Sequence, residues 1–109
     1  MAVGAAGGPR IITQVLWALL RTIDDGSSAA EALTAPRLHH QWAPDKLFVE
    51  QGYDAARIAG LRALGHEIEV TTTAGVSQAV ARDSDGARLI GVHDPRVPGA
   101  ARGWDADAR

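Results

Sequence analysis

Gly7-Gly8-Pro9-Arg10-Ile11-Ile12-Thr13 is the stretch from which the rest of the 109-residue chain can be read. Two glycines leave the backbone bare of side chains, and the proline after them fixes φ where a helix can begin. Ile11, Ile12, Val15, Leu16, Leu19, Leu20 and Ile23 then recur at three- and four-residue steps, predicting a helix over Pro9–Asp25 with one apolar face, stopped by Gly26. Trp17 and Arg21 fall away from that stripe, and Gln14 lies nearer the polar side. Unpaired N–H groups at the mouth of such a helix, added to its dipole, give anion-stabilising geometry at Gly7 and Gly8. Arg10 reinforces the sign, because a cation in the first turn opposes the dipole unless a negative group is nearby. A lone glycine pair is a weak signal, and an ordinary loop-to-helix junction has the same appearance.

On the N-terminal side, Ala2 to Ala6 reads as a strand end entering the glycine turn, with a small-residue leader as the alternative. On the other side, Ser28 and Glu31 form a capping box for a short helix, Ala29–Thr34, which Pro36 ends. Arg37–Trp42 reads as a strand, Ala43-Pro44-Asp45 as a turn and Lys46–Glu50 as the next strand. Asp54 caps a helix over Ala55–Leu64, with Ile58, Leu61 and Leu64 inward and Gly65 at a left-handed C-cap. Glu67-Ile68-Glu69-Val70 alternates like a half-buried strand, its glutamates on the solvated face. Gly75–Asp83 and Arg88–Val92 then make an antiparallel hairpin across Asp83-Ser84-Asp85-Gly86. Asp94-Pro95-Arg96 is a turn with a charge at each end, an ion pair worth little if exposed. Residues 98–109 read as a frayed tail with only Trp104 to bury. The order of elements predicts an α+β fold, a largely antiparallel sheet with helices packed on it.

Composition narrows the function classes. The length suits one domain, or one piece of a larger one, divided as a strand end and glycine turn (1–8), a helix and strand body (9–97) and a tail (98–109). Net charge is −2 with basic residues scattered, so no nucleic-acid surface is expected. The longest apolar run, Val15–Leu20, is too short to cross a bilayer, and the first residues do not resemble a signal peptide. With no cysteine there is no disulfide, thiol nucleophile or thiolate metal site, and the compartment stays open. His39 and His40 point to opposite faces of a strand and lack an acidic partner at ligand spacing, so neither a metal nor another cofactor is expected. One of the two is expected to be a hydrogen-bonded core residue.

Taken with the glycine stretch, Ala35-Pro36-Arg37-Leu38-His39-His40-Gln41-Trp42, Pro44-Asp45, Val49-Glu50, Gly65-His66, Asp94-Pro95-Arg96 and Gly99-Ala100-Ala101 form an ordered set. In these residues the chain resembles the C-terminal part of the small subunit of gamma-glutamyltranspeptidases, over roughly residues 4 to 104. The resemblance implies part of the αββα sandwich of N-terminal-nucleophile hydrolases, in which autocleavage exposes a threonine. That threonine attacks a γ-glutamyl amide, and the acyl group passes to water, an amino acid or a peptide. The family's paired glycines supply the oxyanion hole, here Gly7 and Gly8, and no other site residue carries over.

The family's nucleophilic threonine, substrate-holding serine pair, and the arginine and acids that grip the substrate are expected to precede Met1. Ala5-Ala6 stands where many members carry Ser-Pro or Thr-Pro. Thr13 lies inside the first helical turns and is not expected to replace the nucleophile. The expectation is therefore a portion that binds a small γ-glutamyl substrate only when completed and does not turn it over alone. The alternatives are a non-catalytic assembly module on the same scaffold and a fragment of a related β-lactam acylase. An open sheet edge would favour self-association.

Overall fold

The computed structural model describes residues 1–103, so Trp104 and the rest of the expected tail lie outside the described residues. The elements run β1 (Ala2–Ala6), α1 (Arg10–Ile23), α2 (Ala29–Thr34), β2 (Leu38–His39), β3 (Leu47–Glu50), α3 (Ala55–Ala63), β4 (Ile68–Thr71), β5 (Val76–Arg82) and β6 (Leu89–His93). This is an α+β fold with two three-stranded sheets in place of one, ordered β1-β5-β6 and β2-β3-β4. The first is antiparallel throughout, with Gly4 opposite Gln78 and Val80 opposite Gly91. In the second, β2 pairs antiparallel with β3, but β3 and β4 are parallel. The reason is the connection: α3 carries the chain back over the sheet between them, and a crossover of that kind sets its two strands in one direction.

Small residues bring the helices close to the first sheet. Ala18 of α1 and Ala29 and Leu33 of α2 pack with Ala79 and Val92, flanked by Val3 and Ala81. Ser28 caps α2 through the Glu31 N–H at 3.2 Å, and the Glu31 carboxylate returns to the Ser28 N–H at 2.8 Å, completing the capping box.

The apolar stripe of α1 lies on its outer side. Ile12 is 76% exposed, Leu16 50% and Ile23 73%, whereas the buried positions are Gln14 and Ala18. The inward face is the polar one because its side chains find backbone partners. The Trp17 Nε1–H donates to the Leu38 carbonyl, and Arg21 donates to the Ala32, Ala35 and Pro36 carbonyls, which the end of α2 leaves without helical partners. The inward stripe expected on α3 is also weaker than its pattern: Ile58 and Leu61 are half-buried and Leu64 is 79% exposed.

One further expectation is corrected: the extended run Arg37–Trp42 narrows to a two-residue strand, because Trp42 adopts φ 72° and turns the chain. Residues 98–103, the described part of the tail, are exposed. The His93 Nε2–H donates to the Val97 carbonyl at 2.8 Å, and the chain folds back so that Gly99 lies against the His93 ring. A Cβ at Gly99 would come 2.4 Å from that ring.

Candidate functional site

β1 ends at Ala6, and the chain reverses through Gly7 (φ 131°) and Gly8 (φ 60°) into α1. Both values are disfavoured for residues with a Cβ, which is why the turn is made of glycine. The Gly7 and Gly8 carbonyls accept from the Arg10 and Ile11 N–H groups at 3.2 and 3.1 Å, opening the first turn of α1. Among the described residues, neither the Gly7 N–H nor the Gly8 N–H donates to another protein group.

Arg10 does not extend toward the mouth of the turn. One guanidinium N–H donates to the Thr73 carbonyl at 3.1 Å, and the group lies 5.3 Å above the Phe48 ring. Arg10 thus holds loop 72–75 against the turn. Thr13 is half-buried, and its hydroxyl lies 2.7 Å from His39 Nδ1. The Gln41 Oε1, 2.9 Å from His39 Nε2, can only accept, so Nε2 carries the hydrogen and Nδ1 accepts from Thr13. His39 is the core histidine, 1% exposed and stacked on Phe48, while His40 is exposed.

Beneath the glycine turn lies a polar network that sequence reading missed. Gln14 is 2% exposed: its Nε2 donates to the Ala6 carbonyl at 3.0 Å, and its Oε1 accepts from Ser77 Oγ at 2.8 Å and Arg37 Nη1 at 3.2 Å. Arg37 also donates to the Gly75 and Leu33 carbonyls and to Asp94 Oδ2, the last at 2.7 Å with both side chains buried. Asp94 takes further bonds from the Ser77 N–H and from Arg96, and Arg96 reaches across to Glu50. Glu50 accepts as well from the Arg37 and Ala74 N–H groups, at 2.9 and 2.7 Å. The charged pair of the Asp94-Pro95-Arg96 turn, worth little only if exposed, is part of a largely buried four-residue ion cluster of Arg37, Glu50, Asp94 and Arg96.

The electrostatics follow from that packing. Burial alone would raise the Glu50 carboxyl, but the Arg96 side chain and the Ala74 and Arg37 N–H donors outweigh it and hold Glu50 below the usual carboxylate range. Asp94 is held low in the same way, burial being overcome by Arg37, Arg96 and the Ser77 N–H. In the sequence the members of the cluster are scattered over the Ala35-Pro36-Arg37 block, Val49-Glu50 and the Asp94-Pro95-Arg96 turn, and nothing in their spacing joins the three. Among the described residues, no three His, Cys, Asp or Glu side chains gather as metal ligands would.

The fold has counterparts among known structures of the N-terminal-nucleophile hydrolase type. They include a mutant of Helicobacter pylori gamma-glutamyltranspeptidase (TM-score 0.76, 37% identity, 87% of this chain and 53% of that one). Another is the cephalosporin acylase of Bacillus halodurans (TM-score 0.84, 27% identity, 94% of this chain and 20% of that one). The gamma-glutamyltranspeptidase family model matches residues 1–104, and the chain belongs to that family. It is 42% identical over 96 residues to the glutathione hydrolase proenzyme of Escherichia coli K12, covering 88% of this chain and 16% of the relative. The chain thus spans about a sixth of that curated relative's length.

Proposed function

We propose that the chain supplies the oxyanion-binding turn, at Gly7 and Gly8, for transfer of a γ-glutamyl group to water, an amino acid or a peptide. One observation carries the reading. The carbonyls of both glycines are tied into the first turn of α1 while, among the described residues, neither N–H has a protein partner, which leaves two adjacent donors beside the helix N-terminus available to a ligand. Such donors act on charge that develops only in the tetrahedral intermediate, and losing one costs an acyl-transfer enzyme about 3 kcal/mol of barrier. The substrate class follows from the relatives, which are named glutathione hydrolases. No attacking threonine is assigned among the 109 residues, so on this reading they form no acyl-enzyme alone.

Two measurements test the proposal. The isolated chain, offered a chromogenic γ-glutamyl anilide, should release product no faster than buffer. A hybrid in which the matching segment of the Escherichia coli relative is replaced by this one should hydrolyse the same compound. Turnover by the isolated chain, or a folded hybrid with no activity, refutes it.

A further inference from the structure

We infer that the Gln14 carboxamide is the positioning group that aims the Gly7 N–H, an inference that rests on the reading of Gly7 and Gly8 as the oxyanion-binding pair. The argument begins with the peptide plane. In a trans peptide the carbonyl of one residue and the N–H of the next point in opposite directions within one rigid unit. Whatever holds the Ala6 carbonyl therefore sets where the Gly7 N–H points. That carbonyl accepts from Gln14 Nε2 at 3.0 Å, on the inner side of the turn, which directs the Gly7 N–H outward. The Gly8 N–H is aimed by an independent bond of the same kind, because the Gly7 carbonyl accepts from the Arg10 N–H.

Gln14 cannot rotate to present its oxygen instead. Arg37 Nη1 is a pure donor 3.2 Å from Oε1, and the Ser77 hydroxyl donates to the same oxygen at 2.8 Å, so the amide nitrogen must face Ala6. Space for this arrangement comes from Gly75, at φ 121°. A Cβ there would sit 2.0 Å from Gln14 Nε2, 2.6 Å from its Cδ and 2.9 Å from the Ala6 oxygen. The β1 ladder stops at the Ala6–Val76 pair, so Gly7 has no strand partner of its own to orient it. Through Arg37 the same carboxamide joins the turn to the ion cluster with Asp94, Arg96 and Glu50.

The test is the residual dipolar couplings of the Gly7 and Gly8 amides in the labelled 109-residue chain, compared with those of Gln14→Leu and Gln14→Glu. This coupling reports the direction of the N–H bond, so a loss of stability in a chain that stays folded does not move it. Both variants should shift the Gly7 coupling while Gly8 and the amides of β5 keep theirs. An unchanged Gly7 coupling in folded Gln14→Leu would overturn the inference. Should both variants fail to fold, the scalar coupling through the hydrogen bond from Gln14 Nε2 to the Ala6 carbonyl carbon decides it in the unsubstituted chain, where its loss from the spectrum is the contrary result. None of these readouts depends on whether Gly7 binds an oxyanion, so the inference and the proposed function fail separately.

Discussion

Replacing Arg37 with Met tests whether the ion cluster under the glycine turn holds this fold together. Arg37 is 2% exposed and its partner Asp94 0%, and removing one member of a buried pair costs about 3–5 kcal/mol. Three acceptors, the Leu33 and Gly75 carbonyls and Gln14 Oε1, also lose a donor. Asp94 keeps Arg96 and the Ser77 N–H, so its charge is not stranded, which favours the lower figure, about 3 kcal/mol. Against a total of about 5–15 kcal/mol for a domain of this size, that is a large share. In thermal melts followed by circular dichroism the midpoint should fall by about 12–24 °C, at about 4–8 °C per kcal/mol. Arg88, 85% exposed where it pairs with Asp83, is the control, and Arg88→Met should leave the midpoint unchanged. A loss below about 1 kcal/mol for Arg37→Met, the range of an exposed pair, would refute the assignment of the cluster as the centre of the fold.

The same cluster sets the response to acid. Glu50 and Asp94 are both held below ordinary carboxylate values in the folded chain, so their stabilisation is complete above the unfolded value of about 4 and is lost as pH falls through the lower folded values. Melting temperature should be level through neutral pH and drop below about pH 4, and Glu50→Gln should make that drop shallower. Gly75→Ala should cost at least about 2 kcal/mol in urea unfolding, since it meets both the Gln14 carboxamide and a left-handed φ. Gly26→Ala, at φ 69° with open space around it, should cost only about 1 kcal/mol. Leu16→Glu on the outer face of α1 should change stability in urea unfolding by no more than about 0.5 kcal/mol.

Local signals were the legible ones. The glycine turn, the Ser28–Glu31 capping box and the β5–β6 hairpin each depend on residues a few positions apart, and each stands where its pattern puts it. Periodicity located α1 and its apolar stripe but not the side that packs inward, because Trp17 and Arg21 find their partners through contacts that no helical pattern records. The parallel β3–β4 pair became clear only once α3 joined them as a crossover. The ion cluster was hidden for a topological reason. Arg37 and Asp94 are 57 residues apart, and neither carries a spacing signal that points to the other. Of the candidate site, the sequence offered the two glycines; Gln14, on the polar side of the helix, gave no sign of being the residue on which their turn rests.

A single atom exchange addresses the central claim, that the backbone N–H groups of Gly7 and Gly8 serve γ-glutamyl transfer. In a semisynthetic hybrid carrying glycolic acid in place of Gly8, the amide N–H becomes an ester oxygen while the residue keeps its φ freedom. The account predicts that kcat for the γ-glutamyl anilide falls by about 10²–10³-fold with KM little changed. A kcat equal to that of the all-amide hybrid would contradict it.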